Sequence, residues 1–154
     1  MPLINQVSLI HLIFLCLWGG VVATESVLEL YPYRKKEMRE NAIRYHFWID
    51  LLVEMPLILA VIATGLTLAV LAWPISALHW VKIGCASAAV SANLVCVALV
   101  VQRGQRLNQG VGEMELWKLT RRIVTCAVAG LPFATVAAGA GFWLAYHRLL
   151  DLIK

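Results

Sequence analysis

Charge is scarce in this chain: of its 154 residues only 14% are Asp, Glu, Lys or Arg, and just nine are acidic. A soluble globular domain carries about 25% charged residues, so an ordinary water-facing surface is excluded. The four cysteines, Cys16, Cys85, Cys96 and Cys126, have no CxxC spacing, which argues against a zinc ribbon or a disulfide framework and leaves them as small apolar residues. No Gly-rich elbow or Cys–His pairing indicates nucleophilic catalysis, and no phosphate-binding loop is present. The first apolar run has no basic residue ahead of it and is long for the core of a cleaved leader. It is therefore expected to be retained as a helix, despite the Val-Val-Ala that precedes Thr24.

What the chain has in abundance is apolar length, with 61% hydrophobic residues. Four runs lie between charged clusters, at 4–24, 47–73, 81–102 and 123–146, each near or above the ~20 residues that a bilayer demands. The expectation is an all-α polytopic membrane protein, a single domain over residues 1–154 built as a bundle of four transmembrane helices. Lys and Arg orient it. Arg34, Lys35, Lys36, Arg39 and Arg44 follow the first run, and Arg103, Arg106, Lys118, Arg121 and Arg122 follow the third, whereas only Lys82, Arg148 and Lys154 remain for the other side. By the positive-inside rule both basic connections are cytoplasmic, and both termini and the connection from Pro74 to His79 lie outside. The net charge of +4 thus reflects topology, with the lipid bilayer and its acidic headgroups as the partner and nucleic acid excluded.

The second run enters carrying charge. His46, Asp50 and Glu54 recur every fourth residue, placing them at about 0°, 40° and 80° on one helix face, with Thr64 back at about 0°. In the first run His11, Trp18 and Glu25 are spaced by seven and Glu29 follows by four, a second stripe expected to face inward, with Gly19 and Gly20 permitting close helix approach. Pro56 removes an amide donor just after Glu54, frees the carbonyl of Leu52 and predicts a local kink. Asn93, too deep in the third run to reach an interface, is expected beside Glu54.

The stretch from Tyr31 to Arg44 reads as a solvated or interfacial connection, and the latter half of 103–122 as a short interfacial helix anchored by Trp117. In the fourth run Gly130, Ala134, Ala137 and Gly141 form a packing face, toward the other helices or toward another subunit in a homo-oligomer or membrane complex.

Ionisable groups at membrane depth bind something, move protons or hold helices together. His46 lies about 6 Å along the axis from Asp50 and about 12 Å from Glu54, so one ion cannot take all three. Adjacent pairs can share a divalent metal, with His46, Asp50 and Glu54 joined by Glu25 or by Glu29 or Cys126 from neighbouring helices. A proton or cation relay along the face is a second reading. A structural network of Asn93, Glu29 and Thr64 with the charged groups, Arg44 pairing with Asp50, is a third. A fourth draws on His11, His79 and His147, two of which could be axial ligands of one haem b for electron transfer.

Ile-His-Leu-Ile-Phe-Leu-Cys-Leu-Trp-Gly-Gly at 10–20, the His46, Asp50, Glu54, Pro56, Thr64 and Gly65 pattern, and Leu-His-Trp-Val-Lys at 78–82 resemble the copper-resistance-D-like group of small bacterial inner-membrane proteins. The resemblance implies a bacterial inner (plasma) membrane and metal handling or redox association. The chain departs from it in lacking a Met-rich copper motif. The functional expectation is therefore a small multi-pass protein, not assigned as an enzyme, that binds a metal through the polar face of its second helix or supports a membrane complex.

Overall fold

The computed structural model describes residues 3–31 and 35–153, with side chains except those of 145 and 147–153. Every regular element among the described residues is helical: α1 (Leu3–Leu30), α2 (Lys36–Ile49), a π-helical turn (Asp50–Glu54), α3 (Met55–Leu71), α4 (Ala77–Asn108) and α5 (Glu113–Ile153). Because α2, the π-turn and α3 run on without a break, four rods result, Leu3–Leu30, Lys36–Leu71, Ala77–Asn108 and a stretch of α5 from Glu113 to Leu144, each long and apolar enough to cross a membrane.

The rods are longer than their apolar runs because charged residues wind into them. Lys36 to Arg44, expected as a connection, forms the first turns of α2; Lys36 pairs with Glu40 one turn on, and Arg39 reaches Glu113 at 3.2 Å. Burial of Ala42, Ile43 and His46 draws this segment inward. Likewise no separate interfacial helix carries Trp117: Glu113 to Arg122 opens α5 itself, with Leu116 and Leu119 buried. The turn between α4 and α5 shrinks to Gln109–Gly112, where Gly110 adopts φ +71°, a conformation that a side chain disfavours.

Two antiparallel hairpins make the bundle. In one, α1 packs mainly along α3; in the other, α4 lies along α5. The hairpins meet through α2 and α4, where Gly104 admits the Phe47 ring so closely that a Cβ would lie 2.9 Å from it. The small-residue face of α5 turns partly to α4, since Gly130 sits against Ala92. Gly19 and Gly20 do not serve the close approach expected of them, because nothing lies within 4 Å of a Cβ added at either.

Apolar side chains fill the interior only sparingly, with Ile58, Val61, Val97, Val100 and Ile123 buried, while Leu, Ile, Val and Trp crowd the outside of every rod. The interior's largest fully buried side chains include Arg103, Glu54 and Asp50. Charged residues are almost never fully buried unless paired, so each of these calls for a partner inside the bundle.

Candidate metal centre

The site begins with the π-turn. An uninterrupted α-helix would carry Glu54 80° round from His46, on about 3.6 residues per turn. Pro56 has no amide to give the carbonyl of Leu52, and the Met55 amide bonds instead to the carbonyl of Asp50, five residues back. The wider turn carries Glu54 back toward the face of His46. Asp50 and Glu54 are accordingly buried to 1% and 2% exposure, and Leu51, Leu52 and Val53 face out. The local perturbation expected at Pro56 takes the form of this π-turn, and its effect is to align three polar side chains.

Around His46 the bundle converges. Its Nδ1–H donates to Glu29 Oε1 of α1 at 2.5 Å. Glu29 is in turn clamped by Arg103 of α4, whose Nη1 donates to Oε2 at 2.7 Å and whose Nη2 donates to Oε1. Arg103 Nη1 also donates to Thr120 of α5 at 2.8 Å. Thus every rod contributes to holding one imidazole. The opposite ring nitrogen, Nε2, faces two more carboxylates, Asp50 Oδ1 at 3.2 Å and Glu25 Oε2 at 3.8 Å.

Those two carboxylates are incompletely satisfied. Glu25 Oε1 and Asp50 Oδ1 are buried without a hydrogen-bond partner, as is Arg103 Nε. An unpaired polar atom in the interior costs about 1–3 kcal/mol, more when charged, so two on neighbouring acids need a physical cause. Ligand atoms of Glu25, His46 and Asp50 lie within 4.8 Å of one another, and all three residues are buried. They edge a cleft of about 110 Å³ between α1 and α5, lined also by the buried Ile123 and, at the surface, by the exposed Ser26 and Ala127. A larger groove, about 450 Å³, on the outside of α4 is open and holds no ligand-type side chain, with Leu94, Leu99 and Gln102 in its lining.

The face read from the sequence is divided. Glu54, expected as a ligand, lines the same cavity, but its Oε1 accepts from Trp18 Nε1 at 3.0 Å and from Asn93 Nδ2 at 2.7 Å, so it lies outside the converging trio. Its neighbourhood with Asn93 is as expected. Glu29 supports the histidine from behind, and Thr64 belongs elsewhere, accepting from His11 Nδ1 at 2.7 Å while donating to the carbonyl of Ala60. Arg44 does not pair with Asp50: it is exposed, and Asp50 Oδ1 lies 3.2 Å from His46 Nε2 instead. Cys126 is turned to the carbonyl of Ala92.

Of the haem candidates, His11 meets Thr64 and His79 shares a hydrogen bond with Ser76 at 2.8 Å, while the side chain of His147 is outside the described residues. Arg103 and Thr120 were missed by sequence reasoning, which assigned the arginine to a basic connection. The signal was present in the spacing Asn93, Cys96, Val100, Arg103, Leu107, which continues one helix face inward past the apolar run.

Comparison with protein families, with curated proteins and with solved structures finds no match to this chain.

Proposed function

We propose that this protein is a multi-pass membrane protein that binds a divalent metal ion through Glu25, His46 and Asp50. One observation carries the reading: His46 offers Nε2 to two under-satisfied carboxylates while its Nδ1–H is held by a third carboxylate, itself fixed by arginine. A carboxylate behind the histidine is the usual outer support of a metal-binding imidazole, setting its tautomer and orientation. Mixed nitrogen and oxygen donors suit Zn²⁺, Mn²⁺, Fe²⁺ or Co²⁺.

Charge balance supports the same conclusion. Arg103 compensates Glu29, and a divalent cation compensates Glu25 and Asp50, while Glu54 on the same cavity is held by the neutral donors Trp18 and Asn93. Without it, two carboxylates share one imidazole in a low-dielectric interior, an arrangement that is expensive to bury.

The bilayer reading rests on the outward apolar surface and on tryptophan placement. Trp48 and Trp117 stand at one level, Trp73, Trp80 and Trp143 at the other, and all are exposed. Along α2 to α3 and along α5 the two levels are about 37–39 Å apart, close to the spacing of interfacial aromatic belts. By the positive-inside rule the basic residues favour a cytoplasmic His46 end with both termini outside, and the resemblance carried by 10–20, 46–65 and 78–82 implies a bacterial inner membrane.

Two experiments test this. Asp50→Asn keeps shape but removes a ligand charge; the purified variant should lose its stoichiometric metal and still elute as a folded protein. Unchanged metal content would remove the site, and loss of cation flux in vesicles without any bound metal would favour a relay. Cysteines placed at Met38 and Gln109 in a cysteine-free background should resist an impermeant thiol reagent in intact cells; labelling of either would invert the topology.

A further inference from the structure

We infer that a metal held by Glu25, His46 and Asp50 keeps one coordination position open toward the cavity, and that this position takes a small neutral lone-pair donor in preference to an anion. The inference rests on the metal-binding reading above and concerns what that site exchanges.

The donor count comes first. Among the described residues, the converging ligand group is Glu25, His46 and Asp50. The other ligand-type side chains on the cavity are engaged: Glu29 with Arg103 and His46, Glu54 with Trp18 and Asn93, and Cys96 with the carbonyl of Ile123. Closed structural sites use four protein ligands, whereas three ligands leave a place for water or substrate. The orphaned Oε1 of Glu25 and Oδ1 of Asp50, on residues 7% and 1% exposed, mark the built side of the site.

The stretch of α5 that borders the cleft is apolar, and its Ala127 and Val128 are exposed, so the cleft opens at the bundle surface. Ile123, Val124, Ala127 and Val128 of α5 border the cavity and provide no side-chain ligand atom. The volume of about 110 Å³ accommodates a few waters at roughly 30 Å³ each, or one small organic base. Nor is the cleft closed by tight helix packing, since α1 packs mainly on α3 and α5 mainly on α4. On the α5 side a ligand at the open position meets no competing ligand atom, and the polar Ser26, Asn93 and Cys96 on the cleft are engaged with Val22, Glu54 and Ile123.

Charge then selects among ligands. With the ion balanced by Glu25 and Asp50 and Glu29 balanced by Arg103, an incoming anion adds negative charge beside the buried Glu54 carboxyl, which has only neutral donors. A neutral donor adds no charge.

The test uses the full-length protein in detergent, loaded with Co²⁺ and desalted, with its visible d–d absorption followed at pH 8. Imidazole, uncharged at that pH, should shift the spectrum saturably at a concentration at least tenfold below any effect of azide, with cobalt still bound after a second desalting. Ala127→Leu, at the exposed edge of the cleft, narrows the way in and should keep cobalt but raise the imidazole midpoint at least tenfold. Failure of the wild-type protein to retain cobalt defeats the binding site itself. Retained cobalt with a spectrum indifferent to both probes shows a closed site, azide acting as well as imidazole defeats the preference for neutral donors, and a wild-type imidazole response in Ala127→Leu shows that the open position does not face this cavity; each overturns the inference alone.

Discussion

Two histidines in this bundle make the same first hydrogen bond in different company. His11 and His46 both use Nδ1 toward a neighbouring rod, the one to the Thr64 hydroxyl and the other to the Glu29 carboxylate. Beyond that the neighbourhoods diverge. His11 has Gly65 against its ring, whereas His46 has Asp50 and Glu25 at Nε2 and Arg103 behind its partner. Buried Ile58 and Val61 separate the two levels. An imidazole becomes a candidate ligand through what surrounds its second nitrogen, since a hydroxyl orients the ring but leaves no anionic oxygens to share a cation.

The comparison can be broken most sharply at the rings themselves. His46→Gln should abolish stoichiometric metal in the purified protein, while His11→Gln should leave it unchanged by elemental analysis. Equal losses from both would erase the distinction between the two sites.

A smaller but still large effect is expected behind His46. Arg103→Met leaves Glu29, whose side chain is 9% exposed, without its counter-charge, which costs up to about 3–5 kcal/mol, and adding Glu29→Met should recover much of the loss. Chemical unfolding in detergent measures both. A single variant as stable as the parent would mean that the clamp does not hold the histidine's support.

The smallest effect belongs to the exposed pair between α2 and α5. Arg39→Ala should change stability by no more than about 1 kcal/mol and leave metal content alone, because Arg39 and Glu113 are 40% and 52% exposed and solvent screens them. A large loss there would show that the basic end of α2 stabilises the bundle as strongly as the buried cluster does.

Much of this arrangement was legible along the chain. Four apolar runs of bilayer length predicted four long helices, and the structure has four helical rods of that length. The four-residue spacing of His46, Asp50 and Glu54 put them on one face, and the depth of Asn93 made Glu54 its neighbour. Helix ends were less legible: Lys36 to Arg44 and Arg103 to Asn108 look like loops by composition, yet intrahelical bonding continues through them and cross-rod contacts fix them.

The sequence by itself determined the class of fold and the face on which charge gathers, since both depend on local period and on the length of uncharged chain. Only the tertiary structure decided which charges meet. Whether Arg103 faces water or Glu29, whether Glu54 joins Asp50 or turns to Trp18 and Asn93, and whether Thr64 serves His46 or His11 all depend on the relative height and rotation of separate rods. A π-turn of five residues changes that rotation for half of the second rod, and its consequences lie in side chains distant in the chain, where no periodicity connects them.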